Sequence, residues 1–219
     1  MEASPGAVTK ACLAAALEAV IAAEEELARL DAVAGAGDHA RGMVRGFRAA
    51  VAATDEFDGP AREVLTRAGA AFGDAAGGAS GALLGVWLSA MGQALPSDAE
   101  IDASAVARAL GAGQMTVQRV GKAWPGDKTL LDTLDPFVRA YTAAAQERAG
   151  VAEAWQRALP AAEQGMRATA DMVGKRGRAA YPGERSRGLQ GPGATAMCYI
   201  LRAAGDAMEE MSGGEAPHI

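Results

Sequence analysis

The sequence has few aromatic residues, two cysteines and almost no strand-forming pattern. Aromatic side chains make up 5% of the 219 residues, so a core must be built mainly from Ala, Leu, Val and Met. Cys12 and Cys198 lie far apart in apolar helical patterns, which favours buried hydrophobic residues in a reducing compartment. No run alternates Val, Ile or Thr with polar residues between turn pairs. These absences argue against a disulfide-based domain and predict an all-α protein.

The chain also lacks an excess of basic residues and a long uninterrupted apolar segment. Its net charge of −6 argues against a nucleic-acid partner. The apolar run from Ala11 to Ala23 is bounded by Lys10 and Glu24 and interrupted by Glu18. It is too short for a membrane span, and it lacks the pattern of a signal peptide. We therefore expect a cytoplasmic protein with no nucleic-acid or membrane partner.

Helical periodicity covers nearly the whole chain. Apolar residues three and four positions apart predict eight helices, at about residues 5–33, 43–53, 61–75, 81–95, 102–120, 129–147, 151–173 and 194–211. Ser4-Pro5 is a typical helix start. No shift in composition marks a domain boundary, so we predict one domain over residues 1–211. Residues 212–219 are predicted to be a disordered tail.

Four connections between these helices are rich in Gly, Asp, Ser or Pro, and they alternate along the chain. They cover residues 35–42, 77–81, 121–128 and 174–193. In an up-and-down helical protein, alternate connections lie at the same end of the helices. Helix order alone therefore predicts that the four loops form one rim and that this rim is the functional face.

The first of these loops, together with the helix end before it, brings two carboxylates and an imidazole close together in sequence. Asp31, Asp38 and His39 are separated by small residues that let the backbone turn tightly. Carboxylate oxygens are natural ligands of Mg²⁺, and the backbone N–H groups at the start of the next helix suit a phosphate. The first loop therefore predicts a site for a metal and a nucleotide.

The second and third loops each allow a structural and a functional interpretation. Ser80 follows two glycines, where it could cap a helix or donate to a phosphate. In the third loop Asp127 is a candidate N-cap for the next helix. Lys128 and Asp132 have the spacing of an exposed helical ion pair, which would contribute only a few tenths of a kcal/mol. Each of these signals is weak when taken alone.

The fourth loop is long and carries the local basic cluster. Arg178 and Arg185 could pair with phosphates or with Glu184, and a solvated surface charge is the ordinary interpretation of a single arginine. Taken together, the four loops supply two acids, a histidine, a serine after paired glycines and an arginine. This set can hold a nucleotide with Mg²⁺, although the chain contains neither a Walker loop nor a Rossmann turn.

The loop motifs, in their order along the chain, resemble those of a known family. They are Leu30-Asp31 with Gly37-Asp38-His39, Gly77-Gly78-Ala79-Ser80-Gly81, Pro125-Gly126-Asp127-Lys128-Thr129, Lys175-Arg-Gly-Arg178 with Glu184-Arg185-Ser186, and Pro192-Gly193-Ala194. Over about residues 17–204 the chain resembles the nucleotide-binding L subunit, or L domain, of dihydroxyacetone kinases. The resemblance implies a kinase subunit that transfers phosphate to a ketose hydroxyl.

The family resemblance also implies a fold and a set of site residues. The fold is a single barrel of eight antiparallel amphipathic helices, with ADP or ATP and two Mg²⁺ ions bound in the loops at one end. Asp31 and Asp38 match the metal ligands and, with Arg178, the catalytic residues. The nucleotide contacts that the resemblance implies are His39, Gly42, Ala79, Ser80, Gly121, Leu130, Arg178, Gly191, Pro192 and Gly193.

The family resemblance also implies binding partners for this chain. Kinases of this family bind the ketose on a separate K subunit or domain, so a ketose-binding K subunit is the expected partner. In some versions ADP stays bound and a phospho-histidine phosphotransferase protein recharges it, whereas other versions use free ATP. The sequence leaves both phosphate donors open, and it leaves a homodimer open.

Three positions depart from the family pattern. Ala36 stands where the middle of three aspartates is expected, Ala40 stands where a glycine follows the histidine, and Gly191 replaces the aspartate of Asp-Pro-Gly. A missing carboxylate weakens charge neutralisation, although water can replace a Mg²⁺ ligand. The alternative function is therefore a catalytically impaired nucleotide-binding or regulatory homologue. A third interpretation is a helical scaffold whose interior holds an apolar ligand.

Overall fold

The computed structural model describes residues 3–32, 38–97, 100–176, 180 and 183–213. These residues form nine α-helices and no strand, so the all-α prediction is confirmed. The helices are α1 Pro5–Ala22, α2 Glu24–Ala32, α3 His39–Ala52, α4 Ala61–Ala76, α5 Gly78–Ala94, α6 Ala103–Gly121, α7 Leu131–Gln146, α8 Val151–Ala168 and α9 Pro192–Ser212. Short 3₁₀ turns at Thr169–Asp171 and Gly183–Ser186 lie between α8 and α9.

The helices pack in the order of a closed ring. From α3 to α9, each helix contacts the next one along the chain, and α9 contacts α1, which contacts α3. Short connections between consecutive helices are typical of antiparallel neighbours. With α2 counted as a continuation of α1, the described residues occupy eight positions around the ring. Alternate connections therefore reach the same end of the molecule.

The first predicted helix is two helices in the structure. Ala23 separates α1 from α2 and has φ −93° and ψ 5°. Glu24, Glu25 and Glu26 fill the first turn of α2, where their negative charges favour a helix start. Apolar periodicity alone does not reveal a break of one residue. The break matters for the rim because α2, packed on α3 and α9, carries Asp31 in its last turn.

Other helix boundaries agree with the sequence or differ for local reasons. Ser4 accepts a hydrogen bond from the Ala7 N–H, and Asp102 accepts one from the Ala105 N–H, so both predicted starts are capped. α8 passes through Pro160 without a break. It gives way to a 3₁₀ turn at Thr169, before the predicted end at residue 173. Of the predicted tail, Ser212 ends α9, and residues 214–219 lie outside the described residues.

In the described residues, α1 alone is long and apolar enough to cross a membrane by length and composition. α1 begins at Pro5, six residues before the apolar run that starts at Ala11, and its 18 residues lie near the lower limit of the length that spans a bilayer. α1 nevertheless buries Leu13, Ala16 and Val20 within the ring of helices. A core helix of a soluble protein meets the same criterion.

Glycines allow α4 and α5 to approach closely, and this contact gives a stability prediction. A Cβ on Gly85 would lie 2.8 Å from the Gly69 carbonyl oxygen, so Gly85→Ala requires a backbone shift. We expect it to reduce the free energy of unfolding by about 2 kcal/mol. The control is Gly111→Ala in α6, where the added methyl meets nothing within 4 Å and should stabilise the helix by about 0.5–1 kcal/mol. Urea denaturation measures both variants, and equal unfolding free energies would contradict the close contact.

Candidate nucleotide site

A cavity of about 780 Å³ opens where the four loops meet. Its volume is in the range of small-molecule and cofactor sites. It collects most of the residues that the sequence assigned to the site: Asp31, Asp38, His39, Gly42, Ala79, Ser80, Gly121, Leu130, Pro192 and Gly193. Gly191 is the residue before α9, next to this lining. Ala36 and Arg178 lie outside the described residues.

Asp31 and Asp38 lie on either side of residues 33–37 and line the same cavity. Asp31 is buried at the end of α2, and its Oδ2 accepts a hydrogen bond from the His39 backbone N–H at 3.1 Å. Asp38 immediately precedes α3, and its side chain does not cap that helix. Mg²⁺ is commonly held by one or two carboxylates, with water completing its shell. The two carboxylates therefore fit a magnesium ion, although no cluster of three His, Cys, Asp or Glu residues occurs among the described residues.

The second loop is a turn of two glycines. Gly77 has φ 71° and Gly78 has φ 66°, a left-handed conformation that glycine adopts without steric cost. α5 begins at Gly78, so Ser80 lies inside its first turn and does not cap it. The early backbone N–H groups of a helix can receive a phosphate. Ala79 and Ser80 line the cavity at this helix start.

Arg45 is a cavity residue that the sequence analysis missed. Its Nη2 donates to the Ala76 carbonyl oxygen at 2.9 Å, and its Nε donates to the Ala75 carbonyl oxygen at 3.5 Å. Arg45 thus connects α3 to the last turn of α4, directly before the glycine turn. Its position one turn after Gly42 was the available signal, because residues three apart on a helix share a face.

The third loop differs from its prediction. Asp127 does not cap α7; the residue before that helix is Leu130. The carboxylate of Asp132, inside the first turn, instead accepts hydrogen bonds from the Gly126 N–H at 2.5 Å and the Thr129 N–H at 2.6 Å. The left-handed conformation of Lys128, at φ 62°, folds the loop back toward Asp132. Asp132 therefore fixes the third loop from within α7, while the Leu131 N–H at the helix start donates to Thr129 Oγ1 at 3.2 Å.

Lys128 is buried and does not form the exposed ion pair with Asp132. Its Nζ donates to three carbonyl oxygens, those of Met172 at 3.0 Å, Ser186 at 2.5 Å and Leu189 at 2.7 Å. Burial, followed by the charge of Arg187, lowers the pKa of Lys128, while the carbonyl oxygens favour its ammonium form. Lys128 therefore joins the third loop to Met172, just before the fourth loop, and to Ser186 and Leu189 within it.

The start of α9 is fixed by hydroxyl groups. The Gly191 N–H donates to Thr169 Oγ1 at 2.9 Å, and Thr133 Oγ1 donates to the Ala194 carbonyl oxygen at 2.9 Å. A side chain on Gly191 would begin 3.2 Å from Lys128 Cγ. These contacts hold Pro192 and Gly193, at the N-terminus of α9, in the wall of the cavity.

A second cavity, of about 260 Å³, lies between helices of the ring and is lined mostly by apolar side chains. Leu13, Phe47, Trp87 and Leu201 belong to its wall. Among the described residues, Ile200 alone lines both this cavity and the rim cavity. An apolar ligand, which the third interpretation of the sequence places inside the ring, would fit in this cavity.

A ring of α-helices with a glycine-rich, carboxylate-bearing cavity at its rim describes a helical nucleotide-binding domain. Comparison with known proteins identifies the family: the DAK2 domain model matches residues 33–206. This chain belongs to the DAK2 domain family. The predicted resemblance to the L subunit or domain of dihydroxyacetone kinases is confirmed.

Individual relatives support the same family. L-erythrulose kinase of Pectobacterium atrosepticum is 42% identical over 199 residues, which cover 88% of this chain and 34% of that protein. The PEP-dependent dihydroxyacetone kinase, ADP-binding subunit DhaL, of Escherichia coli is 32% identical over 187 residues, 85% of this chain and 89% of that one. The dihydroxyacetone kinase of C. freundii, solved with AMP-PNP and Mg²⁺, has a similar fold, with TM-score 0.68 and 22% identity over 94% of this chain and 34% of that one. The chain thus spans about a third of the erythrulose kinase.

Proposed function

We propose that this chain is the nucleotide-binding unit of a ketose kinase. It binds ADP or ATP with Mg²⁺ in the rim cavity, and the phosphate passes to a short-chain ketose held by a K-type unit. The observation that carries the proposal is the convergence of two carboxylates, a glycine turn and two helix N-termini on one cavity. The names of the relatives, erythrulose kinase and the ADP-binding subunit of a dihydroxyacetone kinase, support the substrate class.

The chemistry of the residues around the cavity suits them to different roles. Asp31 and Asp38 supply anionic oxygens for Mg²⁺, which neutralises phosphate charge when it is bound. The N-terminus of α5, with the Ser80 hydroxyl, and the N-terminus of α9 face the phosphates. Leu130 and Gly121 offer an apolar surface for the nucleoside. Arg178, assigned from its sequence motif, offsets negative charge that develops during transfer.

The remaining parts of the proposal concern donor, partners and location. Free ATP and a phospho-histidine protein that recharges bound ADP are both compatible with the cavity. A K-type unit must approach the rim, because the phosphate has to reach the ketose. The protein functions as a soluble cytoplasmic enzyme unit, and a homodimer is compatible with the ring.

Calorimetric titration with ADP tests the proposed function. We expect saturable binding in excess Mg²⁺ and at least about tenfold weaker binding after chelation, a difference of about 1.4 kcal/mol. Phosphorylation of dihydroxyacetone and erythrulose is then assayed with a K-type unit and ATP. ADP binding that does not respond to Mg²⁺, or no binding, would contradict the proposal.

The same assay with Ala36→Asp separates the active kinase from the impaired homologue. For an active kinase, we expect the restored carboxylate to change the phosphoryl-transfer rate by less than about threefold, because water can complete the Mg²⁺ shell. A rise of tenfold or more, about 1.4 kcal/mol in the barrier, would establish that the unmodified chain is impaired. ADP binding serves as the control that both proteins have an intact site.

A further inference from the structure

Three cationic side chains among the described residues line the rim cavity, and they differ in what their donors contact. Arg45 donates to the carbonyl oxygens of Ala75 and Ala76. Lys128 directs its ammonium group to the carbonyl oxygens of Met172, Ser186 and Leu189. Arg176 uses only its Nε, which donates to Asp127 Oδ2 at 3.0 Å. Both terminal nitrogens of Arg176 remain available within the described part of the chain.

Asp127 holds this guanidinium from a rigid position. The Asp127 carboxylate is buried and also accepts the Trp124 N–H at 3.0 Å, while the Asp127 carbonyl oxygen accepts the Lys175 N–H at 3.1 Å. Burial raises the pKa of Asp127, but the hydrogen bonds from Arg176 and Trp124 and the charges of Arg176 and Lys175 outweigh it, so the pKa is lowered. Asp127 therefore stays ionised at neutral pH, and its bond to Arg176 weakens only in acid.

Lys175 provides an internal comparison. It carries the same charge as Arg176 and neighbours it in the chain, and its Nζ lies 3.9 Å from Asp127 Oδ1. Its side chain is 62% exposed, against 46% for Arg176, and it does not line the cavity. Asp127 therefore has two cationic neighbours, of which only Arg176 faces the cavity.

We propose that Arg176 is a phosphate-binding residue of the nucleotide site and that Asp127 orients its guanidinium toward the cavity. The proposal rests on the proposed nucleotide-binding function. An arginine anchored through Nε presents its two terminal nitrogens in a fixed plane, which suits the paired oxygens of a phosphate. The ligand class is a nucleoside diphosphate or triphosphate, because the contact is to the phosphate chain and not to the base.

Calorimetric titration of Arg176→Gln with Mg-ADP and with adenosine tests this assignment. We expect ADP affinity to fall by about tenfold or more, as for loss of a charge-assisted phosphate contact, and adenosine affinity to stay within about twofold. Lys175→Gln is the matched control, with the same charge removed from the adjacent residue, and should bind both ligands within about twofold of the unmodified protein. The double variant Asp127→Ala/Arg176→Gln should bind ADP less than about threefold more weakly than Arg176→Gln does.

The possible outcomes separate this inference from the function on which it rests. If the unmodified chain binds Mg-ADP and Arg176→Gln binds it equally well, Arg176 is not a phosphate ligand and the proposed function stands. Equal losses for ADP and adenosine would also overturn the assignment, because they would indicate a general change of the loop. If the unmodified chain does not bind Mg-ADP, the proposed function itself fails.

Discussion

Lys128→Met is expected to reduce the free energy of unfolding by about 3 kcal/mol. Methionine matches the length of the lysine stem but has no donor, so the carbonyl oxygens of Met172, Ser186 and Leu189 lose the ammonium group that they share. A buried polar group left without its partner costs about 1–3 kcal/mol, and more where a charge was involved. Equilibrium urea denaturation followed by circular dichroism measures the change.

Lys175→Met is the control for Lys128→Met. The same chemical change is made at an exposed side chain of the fourth loop, where substitutions usually alter stability by less than about 0.5 kcal/mol. We also expect trypsin to cleave the fourth loop of Lys128→Met faster, because Ser186 and Leu189 lose their contacts with the third loop. An unfolding free energy equal to that of the unmodified protein would show that Lys128 is not a structural link.

The rim could be predicted from sequence because its main determinants are local or topological. Helix periodicity sets the number of connections, and their alternation places four loops at one end whatever the details of packing. The left-handed turn at Gly77 and Gly78 likewise follows from residue type. Asp31, Asp38 and His39 are close in sequence, so a tight turn is enough to bring them together.

The contacts that fix the rim could not be predicted, because they join residues far apart in the chain. Lys128 reaches Leu189 across 61 positions, and Arg45 reaches Ala76 across 31. Local spacing favours an exposed pair between Lys128 and Asp132. The structure shows a buried lysine instead, since the carbonyl oxygens of Met172, Ser186 and Leu189 surround the ammonium group. Tertiary burial overrides a local preference that is worth only a few tenths of a kcal/mol.

These long-range contacts also explain how glycine-rich loops can form a defined site. The loops are rich in glycine, and ordering such a backbone has a large entropic cost. Lys128, Asp127, Thr169 and Thr133 each hold a loop or helix end through hydrogen bonds to the backbone or to another loop. A site whose donors are fixed before the ligand arrives stabilises developing charge without further reorganisation.

Asp31→Asn is expected to weaken Mg-dependent ADP binding by about a hundredfold. Asparagine keeps the size of the side chain and an oxygen that can accept the His39 N–H, so the local fold should survive. What disappears is one negative charge at the proposed metal position. Changes in residues that only support a metal ligand already reduce metal affinity by about 10–100-fold, so loss of a direct ligand should lie at or beyond the upper end. Calorimetric titration with ADP across a series of Mg²⁺ concentrations measures the effect.

Asp38→Ala and Asp74→Asn complete the comparison. Asp38 lines the cavity, and its truncation should give a loss similar to that of Asp31→Asn. Asp74 is an exposed residue near the end of α4 that does not line the cavity, so its neutralisation should leave ADP affinity within about twofold. Unchanged affinity for both Asp31→Asn and Asp38→Ala would remove the metal site from this loop. A loss confined to Asp31→Asn would leave Asp31 as the carboxylate on which metal binding depends.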